Sequence, residues 1–306
     1  MRASVSDRTL QQAAADLGIE CRANEPLGPH TTMGVGGPAP FLLLPRDAAG
    51  LAAIVRELAA SGTRYRILGA GSNVIVADEG VATPVISCAR IAPTIEREGS
   101  SVRAGAGVLV PRLVREMAGM GLSGLEFAEG IPGSVGGCVR MNAGAGGRWI
   151  GDLVREVEFV TPRGDLQRRV PGPGDFGYRR SFVAAEGLIV TGALFEGRPE
   201  DPAAIRERMR ESRDYRLATQ PLSERSSGCI FKNPEGGSAG EVLDRLGLKG
   251  LSVGGAVLSD VHANFIVNRG GTASDVLALA ERVKREALDR AGVALTFEVE
   301  LWRDAR

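Results

Sequence analysis

The sequence predicts an α+β chain of two or three domains, on three grounds. Its 306 residues exceed one ordinary domain. Short β-branched runs outnumber segments of helical period. Several of those runs lead into glycine-rich turns instead of helices, which a doubly wound parallel sheet would require.

Taken in order, residues 7–18 read as a short polar helix. The turn His30-Thr31-Thr32-Met33-Gly34-Val35-Gly36-Gly37 leads into an apolar run, Phe41 to Leu44. Asp47 caps a helix whose Leu51, Ile54, Val55 and Leu58 fall at helical spacing, and Gly62 ends it. Tyr65 to Leu68 is a strand running into Gly69-Ala70-Gly71-Ser72-Asn73-Val74. That turn starts like a dinucleotide fingerprint, but Val74 holds the third-glycine position and β-branched residues follow, so the expected element is strand, phosphate-gripping turn, strand. Val110 to Met117 reads as a helix, Val154 to Val160 as a strand with a hairpin near Pro162-Arg163-Gly164, and Leu188 to Phe195 as another strand. Gly197 to Pro202 marks a boundary. Beyond it come an arginine-rich helix (Ala203 to Tyr215), a helix from Ala239 to Leu246, and short strands at Ala256 to Leu258 and Asn264 to Val267. Thr272 opens a long helix that Gly292 stops, and Ala294 to Leu301 is a terminal strand. The expected divisions are 1–85, 86–197 and 198–306, with the last strand free to return to the first lobe.

Lys+Arg and Asp+Glu each number 37, so no net field favours nucleic acid or an anionic membrane. No stretch approaches a membrane span, and the N-terminus lacks the apolar run of a signal peptide. Cys21, Cys88, Cys138 and Cys229 lack C-x-x-C spacing, which argues against a metal cluster or disulfide framework and for the cytoplasm. With only two histidines, histidine-based chemistry is poorly supplied. No G-x-x-x-x-G-K-[ST] loop anchors ATP.

The most unusual stretch runs from Gly124 to Gly147. It sets glycine against core residues (Ile131, Val135, Val139, Met141), unlike a polar linker. Glycine permits close backbone approach, and successive N–H groups at such turns form anion-binding concavities that suit a pyrophosphate. A tight buried turn between strands is the other reading. Arg179 could pair with a carboxylate or stand at the surface. Cys229 could react or be an inert core thiol. Glu298 lies opposite an alternating apolar face (Leu295, Phe297, Val299, Leu301), either functional or merely solvated. The residues alone indicate a nucleotide cofactor and an anionic substrate.

Seven motifs in register resemble the UDP-N-acetylenolpyruvoylglucosamine reductase family, across roughly residues 24 to 302. They are Gly69-Ala70-Gly71-Ser72-Asn73, Gly130-Ile131-Pro132-Gly133-Ser134-Val135-Gly136-Gly137, Met141-Asn142-Ala143-Gly144, Tyr178-Arg179-Arg180-Ser181, Gly228-Cys229-Ile230-Phe231-Lys232-Asn233-Pro234, His262-Ala263-Asn264-Phe265 and Phe297-Glu298-Val299. The resemblance implies a two-lobed FAD-binding domain of the vanillyl-alcohol-oxidase type, a C-terminal α+β substrate domain and the compact subgroup of the family. It further implies dissociable FAD, NADPH as reductant and a UDP-linked enolpyruvyl amino sugar as substrate. No metal is implied, and a monomer is expected.

By the same resemblance the first three motifs hold FAD, through Gly69, Ala70, Gly71, Ser72, Asn73, Gly130, Ile131, Pro132, Gly133, Ser134, Gly136, Gly137, Asn142, Ala143 and Gly144. Arg179 matches the family's cation for charge developing on the substrate carboxylate, Glu298 the acid that polarises it, and Cys229 the proton donor. Tyr178, Arg216, Lys232 and Asn233 are substrate-binding candidates. Cys229 departs from the commoner serine, and a thiol, titrating near ~8.5, yields its proton far more readily than an alcohol. Cys138 also departs, from a small apolar residue. The rival expectations are an FAD oxidoreductase of the same fold with another substrate, and a non-catalytic nucleotide-sugar binding protein.

Overall fold

A computed structural model describes residues 7–304. The first six residues, part of the N-terminal stretch considered above, lie outside it. The helices are α1 (Asp7–Asp16), α2 (Ala48–Ala60), α3 (Val110–Gly119), α4 (Val135–Met141), α5 (Phe182–Ala185), α6 (Pro202–Thr219), α7 (Ala239–Arg245) and α8 (Ala273–Ala291). Two compact units emerge, interleaved along the chain. Among the described residues the first comprises 7–23, Phe41–Ala70 and Thr83–Arg213; the second comprises Asn24–Pro40, Gly71–Ala82 and 214–304.

The first unit carries two sheets. In one, the strands Pro38–Leu44 and Arg66–Leu68 flank Val85–Ser87, both parallel to it. The other is antiparallel and five-stranded, in the order Leu166–Arg169, Val154–Val160, Ile189–Glu196, Ser101–Gly105, Ile95–Glu98. Asp47 starts α2 by accepting the Gly50 N–H at 2.7 Å, and Leu51, Ile54, Val55 and Leu58 bury the helix's apolar stripe. Each such side chain contributes about 2 kcal/mol on burial, more than helix propensity supplies. One core joins these residues to Val102, Leu113, Val157 and Phe195.

α4 forms inside the glycine-rich stretch, where sequence reading predicts only turns. Ser134 caps it, and Val135, Cys138 and Val139 go into the core; burial overrides the poor propensity of two glycines. α6 likewise runs past Tyr215 to Thr219.

The second unit centres on α8, packed against the antiparallel strands Ser252–Val253, Ala256–Leu258 and Ile266–Asn268. Its core unites Met33 and Ile75 with Phe231, Leu258, Val276, Leu279, Val283 and Val299. The strand Val74–Val76 pairs in parallel with Glu300–Trp302. Only those last residues of the expected terminal strand are extended in a ladder; before them Phe297 makes one isolated bridge, to Phe231. Among the described residues no helix is long and apolar enough to cross a membrane.

The start of α8 is fully capped. Thr272 and Asp275 form a reciprocal capping box, and Asp78 accepts the N–H groups of Ala273 (2.8 Å) and Ser274 (2.9 Å) together with the Ser274 hydroxyl. Burial would raise the Asp78 carboxyl, but the Ser274 hydroxyl and the two backbone donors outweigh it and hold it below its usual value. A depressed carboxyl stabilises the fold above the unfolded-state value, and that contribution disappears as pH falls through the folded one. Asp78→Ala should therefore lower stability by about 1 kcal/mol at neutral pH and by less in acid. Urea unfolding at two pH values measures this; an equal loss at both would refute the account.

Candidate active site

In the first unit the two glycine turns lie side by side. A Cβ on Gly69 would stand 3.0 Å from Ser134 Oγ, with Gly137 at 3.9 Å. Of the donors in the second turn, Val135 N–H goes to Val108 O (2.8 Å) and Gly136 N–H to Ala106 O (3.0 Å). Ser134 Oγ takes the Gly137 N–H at 3.5 Å. The N–H groups of Ala70, Gly133 and Ser134 have no acceptor among the described residues. The stretch is thus both a packed turn and a source of backbone donors not used within the fold. Gly130, Ile131 and Pro132 form its approach, Gly130 at φ +77°.

Asn142 ends α4 in the left-handed region, at φ +45° and 2% exposed. Its Nδ2 donates to Gly177 O and its Oδ1 accepts from Gly151 N–H, both at 2.9 Å. Ala143 and Gly144 follow; Gly144 pairs with Trp149 in a two-residue ladder. The hairpin Phe176–Gly177/Arg180–Ser181 carries Tyr178 and Arg179 at its tip. Ser181 Oγ donates to Arg140 O at 2.5 Å, so α4 grips both arms. Arg179 itself is left-handed, φ +51°, a conformation that costs a non-glycine residue on the order of 1 kcal/mol. Its guanidinium carbon lies 5.9 Å from the Trp149 ring and 5.7 Å from that of Tyr178, and the two rings meet edge to face at 5.5 Å. The cation is therefore held by a strained backbone and an aromatic corner.

In the second unit Gly71 packs its Cα against the His30–Thr32 turn. A Cβ there would come 2.0 Å from His30 O, and φ is +67°, so only glycine fits. Gly71 O accepts the Thr32 N–H at 3.0 Å. Ser72 follows at the turn. Asn73 Nδ2 donates to Glu298 O (3.3 Å), and Asn73 O accepts the Glu300 N–H (3.0 Å).

The loop carrying Cys229 is stitched on both sides. Ile230 N–H donates to Asn264 O (2.9 Å), and Glu298 N–H to Ile230 O (2.8 Å). The Asn264 side chain, buried at 2% exposure, accepts the Phe231 N–H (3.0 Å) and donates to Phe231 O (2.8 Å). Cys229 and Glu298 thus stand on neighbouring backbone segments of one unit. Lys232 N–H is bonded to Thr296 O (2.9 Å), and Asn233 Oδ1 accepts the Ala239 N–H (3.1 Å) at the start of α7. Arg216, in the last turn of α6, is pulled below the usual guanidinium value by burial, with the Cys229 thiol opposing. Burial and the nearby Lys249 push the His262 imidazole below its usual value, and its Nδ1 accepts the Asn264 N–H at 3.2 Å.

Two family models match the chain: "UDP-N-acetylenolpyruvoylglucosamine reductase, C-terminal domain" over 220–302, and "FAD binding domain" over 39–169. The reductase of Desulfosudis oleivorans is 43% identical over 289 residues, 90% of this chain and 92% of its own. That of Geobacter metallireducens is 41% identical over 97% of this chain and 99% of its own. The chain belongs to the UDP-N-acetylenolpyruvoylglucosamine reductase family. The crystal structure of the Thermus caldophilus reductase superposes with a TM-score of 0.79 at 40% identity, covering 93% of this chain and 99% of that one.

Membership bears out the fold class expected from sequence, an FAD-binding α+β domain with a C-terminal α+β domain. The activity is that of the family: FAD-dependent reduction of the enolpyruvyl group of UDP-N-acetylglucosamine enolpyruvate. The first unit fits the cofactor, since the N–H groups of Ala70, Gly133 and Ser134 supply donors suited to a diphosphate. Burial pushes the Cys138 thiol up to about 12, against the pull of Arg179, which disfavours the reactive thiolate.

Sequence reasoning assigned no role to Asn264, and it expected Asn142 and Asn73 to touch cofactor. The structure uses all three amides to bind backbone. The one signal was local: Asn142 follows the helix, where asparagine tolerates left-handed φ. Asn142→Ala should cost about 2–4 kcal/mol, by leaving the Gly177 and Gly151 groups unpaired and straining the helix end. Urea unfolding tests this; a loss below about 0.5 kcal/mol, the level of an ordinary surface substitution, would show that the grip is unimportant.

Proposed function

We propose that Arg179, Cys229 and Glu298 carry the reaction and that NADPH supplies the electrons. Bound FAD would supply hydride chemistry here, with NADPH as the source of the electron pair and the methylene carbon of the enolpyruvyl ether as its destination. Addition there drives charge into the substrate carboxylate. A fixed cation is worth most where charge develops, and Arg179, clamped between Trp149 and Tyr178, has little freedom to lose. Glu298 helps hold and polarise the same carboxylate. The Cys229 Sγ–H gives its proton to the carbon next to the carboxylate, completing the lactyl ether of UDP-N-acetylmuramate.

The observation that carries this reading is the bond from Glu298 N–H to Ile230 O, which supports a cysteine and a carboxylate acting together. Arg216 and Lys232 are cations suited to the UDP diphosphate, with Asn233 beside Lys232 in the same loop and Tyr178 over the sugar. The two glycine turns hold the cofactor diphosphate. The enzyme acts as a monomer in the cytoplasm, in peptidoglycan synthesis and hence in cell shape and division.

Cys229→Ala should leave reduction of the bound flavin by NADPH intact and slow turnover of the enolpyruvyl substrate by about 10²–10⁴-fold. Stopped-flow absorbance separates the half-reactions; undiminished turnover would move the donor role elsewhere. The wild-type rate should fall in alkali as the thiol ionises, and Cys229→Ser should remove that fall.

A further inference from the structure

Three buried polar atoms of the second unit have no hydrogen-bond partner among the described residues: Arg216 Nε, Gln220 Oε1 and Ser227 Oγ. A buried group of this kind costs on the order of 1–3 kcal/mol when unpaired, so three in one region call for a ligand. The three residues fall within one stretch of twelve, 216–227. Gln220 N–H donates to Arg216 O at 2.8 Å, continuing α6 by one bond and putting the two side chains four residues apart on one face. Ser227 follows Gln220 by seven residues, in the loop that carries Cys229. That loop is fixed, because Thr32 Oγ1 donates to Ser226 O at 2.6 Å, and Ser227 is only 2% exposed.

The chemistry of the three atoms is specific. Arg216 Nε can only donate, Gln220 Oε1 can only accept, and the Ser227 hydroxyl can do either. A phosphate satisfies the arginine and leaves the glutamine carbonyl unpaired. A group presenting N–H beside C=O satisfies both.

We propose that Gln220, with Arg216 and Ser227, reads an N–H/C=O edge of a bound ligand. Gln220 accepts the N–H, while Arg216 and Ser227 donate to the carbonyl. This rests on the function assigned above, whose ligands offer such an edge in two places: the UDP-sugar, through its acetamido group or its uracil ring, and the isoalloxazine pyrimidine of FAD.

The test compares wild type, Gln220→Leu and Gln220→Glu, the last keeping an acceptor. Apoprotein is titrated with FAD by flavin fluorescence. FAD-loaded protein is then titrated calorimetrically with UDP-N-acetylglucosamine and with UDP-glucose, which lacks the acetamido group. Gln220→Leu should weaken one ligand about tenfold or more, and Gln220→Glu should weaken it far less. A loss confined to FAD assigns the edge to the flavin. An equal loss for both sugars assigns it to uracil, and a loss of the preference for UDP-N-acetylglucosamine assigns it to the acetamido group. The ligand-free Gln220→Leu protein should melt at or above the wild-type temperature, because an unpaired buried acceptor has been removed. Unchanged affinities in Gln220→Leu overturn the proposal alone, and so does a lowered ligand-free melting temperature, which would mark Gln220 as structural. Wild-type protein that binds neither FAD nor a UDP-sugar overturns the functional reading and the proposal together.

Discussion

The hydrogen bond from Glu298 N–H to Ile230 O fixes where Cys229 and Glu298 stand on their backbone segments in the second unit. Neither end of it lies in a regular sheet, so the surrounding bonds must supply the register that a ladder gives elsewhere. Asn264 does this from one side by occupying both backbone groups of Phe231, and Asn73 does it from the other by binding on both sides of Val299. The Asn264 amide thus acts as a short substitute strand, and Asn73 adds one side-chain bond just ahead of the ladder. The arrangement places a thiol and a carboxylate on adjacent segments while leaving both half-buried, as the proposed reaction needs.

The first unit solves a related problem differently. In the proposed reaction Arg179 offers a charge at a fixed point, and a long flexible side chain is poorly suited to that. Its backbone is forced into the left-handed region at the tip of a two-residue hairpin, and two aromatic rings limit the guanidinium. The strain is sustained by α4, whose end binds Gly177 through Asn142 and Ser181 through the Arg140 carbonyl. The glycine turns and the hairpin are therefore one mechanical assembly, which explains why a helix this short and glycine-rich persists.

Much of this was legible locally. Asp47, Thr272 and Gly292 mark helix ends by chemistry that acts within a few residues, and the structure places caps there. The seven motifs identified family and activity together. What sequence could not supply was long-range: the bridge between Phe231 and Phe297, the clamp from Asn264, and the gathering of residues 24–40 and 71–82 into the core of the C-terminal unit. Periodicity also misled at Glu298, where strict alternation suggests a strand and the chain instead makes one bridge before its ladder begins at Glu300. Alternation reports which side chains are buried, here Leu295 and Val299, and both are buried without a continuous ladder.

The central claim is that the Cys229 thiol, set beside Glu298, faces the carbon that takes up the proton. A crystal structure with FAD and UDP-N-acetylglucosamine enolpyruvate bound measures this directly. The account predicts Cys229 Sγ in contact with that carbon, within about 4 Å, and Arg179 and Glu298 on the adjoining carboxylate. A thiol turned away, with Ser226 or Ser227 nearer the carbon, would contradict it.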